Sequence, residues 1–94
     1  MDPVVVADGI RAELAAFGTA ERAAGAKKYL KSDLEFLGVR MPDWRHVLKG
    51  WLKDRPELTR RQLLAVVREL WRRPVFELRS FGVGLLEEGV GVLA

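Results

Sequence analysis

The 94 residues make one domain at most, or part of one, and the absence of cysteine excludes disulfides, thiol catalysis and cysteine-ligated zinc. Hydrophobic residues at 49% and charged residues at 31% describe a folded chain, not a disordered one. The net charge is +3 and the excess is clustered and rich in arginine, while the single His46 excludes a multi-histidine metal site.

The predicted elements are short helices. Asp2 can cap a first helix with Pro3 at its first position, where the missing N–H is no loss. Val6, Ile10, Leu14 and Phe17 follow at helical spacing, and Gly18 stops the run. Thr19 can cap a second, Ala-rich helix from Ala20 to about Lys31. A connector, Ser32 to Met41, leads to a third helix opened by Pro42, whose apolar stripe is Trp44, Val47, Leu48, Trp51 and Leu52. Asp54-Arg55-Pro56 ends it, because a residue before proline is pushed out of helical geometry. Thr59 and Gln62 have capping-box spacing and open a fourth helix with Leu63, Val67, Leu70 and Trp71 on its apolar face. Pro74 separates it from a fifth segment, Val75 to about Glu88, in which Gly82 and Gly84 either weaken the helix or allow close helix contact.

No β-alternation of useful length occurs. Short helices joined by tight proline-marked turns predict an all-α fold of antiparallel helix pairs, and stacked pairs make an α-solenoid. No strict repeat is visible, so degenerate HEAT-like units are expected over one all-helical unit, residues 1–94. The apolar, glycine-broken tail at 89–94 carries no stop signal, which suggests the N-terminal part of a longer HEAT-like domain. No apolar run approaches the ~20 residues of a membrane span. The opening Met1-Asp2-Pro3-Val4-Val5-Val6 has no basic leader, so no membrane partner and a cytoplasmic location are expected.

The connector is the most specific stretch. Tyr29-Leu30-Lys31 resembles the Tyr-Met-Lys step of the DNA alkylation repair family, the AlkD-like HEAT-repeat DNA glycosylases. Phe36-Leu37-Gly38-Val39 resembles that family's Phe-Leu-Gly-Ile turn, and Pro42 with Arg45 its Pro-x-x-Arg. Arg68-Glu69-Leu70-Trp71 resembles its Arg-Glu-Leu-Trp step, and Phe76-Glu77-Leu78-Arg79 more loosely its Glu-Phe-Gln region. The resemblance spans about Arg22 to Leu86. It implies a curved helical solenoid with a basic concave face that binds alkylated duplex DNA. Such enzymes excise alkylated purines by cutting the glycosidic bond without flipping the lesion into a closed pocket, unlike most glycosylases. No cofactor and no metal are expected. The family's chemistry also needs a Trp-Trp-Asp segment, and Trp44, Trp51 and Trp71 are isolated, none followed by Asp. No catalytic residue is therefore assigned, and these residues alone are expected to be inactive.

Tyr29 matches a family tyrosine that lines the lesion cleft; the alternative is a boundary tyrosine holding two helices together. Lys31 and Arg45 match signature positions and are expected at DNA. Arg45, Lys49 and Lys53 lie four residues apart on one helical face, a spacing that can track phosphates. Arg61, Arg68 and Arg72 form a second stripe on the fourth helix. Phe36, Leu37 and Gly38 are expected to plug the turn into the core, with Gly38 at positive φ. Trp44 and Trp51 are expected in the core and Trp71 against a neighbouring helix. His46 has no identifiable nucleophile or carboxylate partner, and the adjacent Glu87 and Glu88 do not face each other on a helix. Two other readings stand beside this one. One is a non-catalytic helical-repeat scaffold for DNA or protein. The other is a small helical oligomer that self-associates through the exposed apolar face of the fifth segment.

Overall fold

The computed structural model describes residues 1–93, with side chains through residue 89. It is all-helical, as the punctuation of the sequence implies: α1 Pro3–Ala15, α2 Ala20–Leu30, α3 Met41–Lys53, α4 Arg60–Arg72 and α5 Phe76–Leu93. The caps are where the residue types put them. Asp2 Oδ1 accepts the Val4 N–H at 2.9 Å, and Thr19 Oγ1 accepts the Arg22 N–H at 3.2 Å. Thr59 and Gln62 close a reciprocal capping box at 3.1 and 3.0 Å, which satisfies two N–H groups that the first turn leaves free. None of the described helices is long and apolar enough to cross a membrane.

Two boundaries differ from the sequence reading. Helix α3 begins at Met41, one residue before Pro42, which the first turn tolerates because its N–H groups have no helical partner. Helix α5 runs through Gly82, Gly84 and Gly89 to Leu93, past the expected end near Glu88. The reason is packing. A Cβ on Gly84 would lie 2.9 Å from both Trp44 and Leu48, one on Gly82 would lie 3.2 Å from Trp71, and one on Gly89 would lie 2.8 Å from Leu63. Each glycine costs about 1 kcal/mol of helix propensity, and each lets a large side chain reach the α5 backbone.

The core lies among four helices. Ile10 and Leu14 come from α1, Val47, Leu48 and Trp51 from α3, Leu63, Val66, Val67 and Leu70 from α4, and Leu78, Phe81 and Leu85 from α5. Helices α4 and α5 form a tight hairpin across residues 73–75, α1 packs on α4, and α3 packs on α5 and α1. Trp44 is half-buried, its ring edge-on to Phe81 at 6.0 Å. Arg73 ties the hairpin to α1: its guanidinium reaches Asp8 at 2.6 Å, Glu69 at 3.1 Å and the Val4 carbonyl at 3.2 Å. Burial pulls the Arg73 pKa down, but the bonds to Asp8 and Glu69 outweigh it and hold the pKa above the ordinary value.

Helix α2 is the exception. It buries no residue and packs closely on no other helix. Its Ala-rich sequence forms a helix without an apolar stripe to dock. A joint with the connector holds it instead, where the Thr19 N–H donates to the Gly38 carbonyl at 3.2 Å. Gly38 has φ 74°, and a Cβ there would lie 2.2 Å from the Thr19 oxygen and 2.6 Å from the Ala23 nitrogen. Phe36 is buried and stacks on Phe76 at 4.9 Å. Glu35 pairs with Val75 in an isolated parallel bridge, through Glu35 N to Pro74 O at 2.8 Å and Phe76 N to Glu35 O at 2.9 Å. The apolar plug and positive-φ turn expected at Phe36 to Gly38 are therefore present.

Not every glycine is needed. Gly9 in α1 and Gly50 in α3 have no atom within 4 Å of a would-be Cβ. Gly9→Ala with Gly50→Ala is expected to stabilise by about 0.5–1 kcal/mol each, partly by restricting the unfolded chain. For a domain of this size the pair should raise Tm by about 5–15 °C in a thermal melt.

Candidate functional site

Tyr29 stands in the last turn of α2 and is 86% exposed. Among the described residues α2 packs closely on no other helix, so Tyr29 bridges no two helices there. Lys31 follows at the helix end with φ 49°, the left-handed region that side chains other than glycine rarely enter. It is exposed, and Lys27 and Lys28 precede it in the last turn, where cations suit the helix dipole.

On α3, Arg45, Lys49 and Lys53 are all exposed, as their spacing requires. Arg45 and Lys49 rim an open groove of about 500 Å³ between α3 and α5, with Met41, Trp44, Leu48 and Gly84 along it and Glu87 and Glu88 on the α5 side. On α4, Arg61, Arg68 and Arg72 are exposed too, but Arg72 lies 3.5 Å from Glu69. Among the described residues, Lys31, Arg45, Lys49, Lys53, Arg61 and Arg68 form no ion pair, whereas Arg11, Arg40, Arg72 and Arg73 each have a carboxylate partner. Of the candidate cations, Arg72 alone is ion-paired among the described residues. Helices α3 and α4 make no close approach, so the structure does not join their stripes through a shared helix contact.

Trp51 is buried, and the Arg55 guanidinium lies over its ring at 4.2 Å. Trp71 packs one face toward Gly82 on the neighbouring helix, as expected, yet remains 46% exposed with the Arg79 guanidinium 5.6 Å from its ring. His46 is exposed and meets Phe17 edge-on at 6.4 Å. Phe17, at the end of the first apolar run, is itself exposed.

The sequence names Glu77 only within the loose Phe76–Arg79 resemblance and gives it no role. Glu77 is buried in the first turn of α5, and its carboxylate accepts three backbone N–H groups: Leu37 on Oε1 at 2.8 Å, Gly38 on Oε2 at 3.0 Å and Val39 on Oε2 at 3.3 Å. An acidic residue in a first turn ordinarily reads as a complement to the helix dipole, and nothing in its neighbourhood points to a loop some forty residues earlier. The loop it holds, Leu37 to Val39, lies in one of the stretches that carry the family resemblance.

The family model described as DNA alkylation repair enzyme matches residues 10–90. No curated protein matches the chain.

Proposed function

The chain belongs to the DNA alkylation repair enzyme family, and from that premise we propose that its 94 residues bind duplex DNA as the N-terminal repeats of an alkylpurine glycosylase. Lys31 and the α3 stripe Arg45, Lys49 and Lys53 contact phosphates in this reading, and Tyr29 faces the lesion. The observation that carries it is the set of exposed cations without carboxylate partners at the signature end of α2 and along α3. Phosphate contacts supply affinity without reading sequence, which suits an enzyme that must find damage anywhere in a duplex. The α3 stripe is favoured over Arg61, Arg68 and Arg72 because Arg72 already faces Glu69. Excision of the alkylated base belongs to a Trp-Trp-Asp segment that these residues do not contain.

Fluorescence anisotropy with a labelled duplex, with and without methylated purines, tests this. The chain is expected to bind both and to release no free base. Absence of duplex binding contradicts the proposal, and base release contradicts the assignment of catalysis elsewhere.

One observation favours a second reading. The α3–α5 groove has a basic wall, Arg45 and Lys49, and an acidic wall, Glu87 and Glu88. A two-fold axis through it would set the basic wall of one copy against the acidic wall of the other, as an isologous contact requires. Sedimentation at rising protein concentration separates the two readings, since the DNA reading needs no dimer.

A further inference from the structure

We infer that Glu77 is a positioning residue that fixes α2, and with it Tyr29 and Lys31, by clamping the Phe36–Val39 loop. The inference deepens the DNA-binding reading and, for its DNA arm, rests on it. Helix α2 has no core of its own: it buries no side chain and makes no close helix contact. Its place is set where Gly38 meets Thr19 and Ala23, and where Gly18 lies so close to the Leu37 carbonyl that a Cβ would be 2.0 Å from its oxygen. One side of that joint, Leu37 and Gly38, belongs to a loop whose three consecutive N–H groups, Leu37 to Val39, end on one carboxylate.

The carboxylate has no cation within ion-pairing distance among the described residues. A buried charge without such a partner is tolerable only when hydrogen bonds satisfy it, so loop and carboxylate each need the other. Glu77 is fixed in turn from behind. Its own carbonyl accepts from Trp44 Nε1 at 3.4 Å and from Ser80 Oγ at 3.1 Å. The Trp44 contact links the clamp to α3, the helix that carries Arg45. One residue on α5 thus sets α2 through its side chain and the loop, and contacts α3 through its backbone carbonyl.

The chemistry singles out glutamate. Oε1 serves Leu37 and Oε2 serves both Gly38 and Val39. Glutamine would replace one of these acceptors with an NH₂ group, a donor facing donors.

The test compares Glu77→Gln with the wild-type chain in two ways. In hydrogen exchange, the Leu37, Gly38 and Val39 amides of the variant are expected to exchange about ten- to a hundredfold faster, the loss expected for bonds to a charged group. Core amides of α4, such as Val67 and Leu70, should keep their protection. In duplex binding, Glu77→Gln should lose as much affinity as Tyr29→Ala with Lys31→Ala, and the triple variant should lose no more. A merely structural role would not give that non-additivity. Unchanged exchange at 37–39, or losses that simply add, overturns the inference.

If Glu77→Gln does not fold, Gly38→Ala opens the same joint from the loop side and leaves the carboxylate in place. The same non-additivity is expected there, and additive losses overturn the inference. If the wild-type chain binds no duplex, the DNA reading falls and the exchange arm alone decides the clamp.

Discussion

Replacing Phe81 by alanine is expected to cost about 3–5 kcal/mol, the range for deleting a buried aromatic ring that leaves an unfilled cavity. Phe81 has no exposed surface, lies in the core contributed by α1, α3, α4 and α5, and meets the Trp44 ring edge-on. A domain of this length has a total stability of about 5–15 kcal/mol, so the change removes a large share. Tm should fall by about 15–30 °C, read by far-UV circular dichroism. The control is on the same helix. Val83, two residues on, is 39% exposed, and Val83→Ala loses little buried area while gaining helix propensity, so it should stay within about 0.5 kcal/mol of the wild type. Equal losses at both positions would mean that α5 does not face the core as described.

Much of the fold was legible because its signals are local. A cap and the helix it opens lie within four residues of each other, which is why Asp2, Thr19 and the Thr59–Gln62 box were readable. What escaped depends on residues far apart in the chain. The continuation of α5 through its glycines follows from Trp44, Leu48, Leu63 and Trp71 lying against them, and no pattern within α5 encodes those partners. The docking of α2 was invisible for the opposite reason. Its alanines promise a helix, but a helix without an apolar stripe carries no record of what it rests on.

The candidate site divides in the same way. Exposure of Arg45, Lys49 and Lys53 opposite Val47, Leu48 and Trp51 follows from helical periodicity alone. The separation of the α3 and α4 stripes does not, because it depends on how whole helices pack. Tyr29 and Lys31 were found through the family resemblance, and their exposure follows from the bareness of α2. Glu77 was hidden because its partners are backbone N–H groups, which every loop has and no sequence distinguishes. The family signature is thus part structural, in Phe36 to Val39 and Glu77, and part outward-facing, in Tyr29, Lys31 and Arg45.

The second large effect concerns salt. If Lys31, Arg45, Lys49 and Lys53 each neutralise one phosphate, the slope of log affinity against log salt should be about −3.6, at about −0.9 per contact. Raising salt from about 50 to about 200 mM then weakens binding by about a hundredfold. Replacing Arg45, Lys49 and Lys53 together by alanine removes three of the four contacts and should leave a slope of about −0.9. These side chains are exposed and form no ion pair, so their removal should cost little stability and the loss reports on DNA. Replacing Arg61, Arg68 and Arg72 should leave the slope nearly unchanged. The most direct measurement is therefore this salt titration of duplex affinity for the wild-type chain and the two triple variants. Phosphate tracking by α3 predicts a steep slope that collapses only when the α3 stripe is removed. A wild-type slope near zero, or a slope that survives loss of Arg45, Lys49 and Lys53, would contradict it.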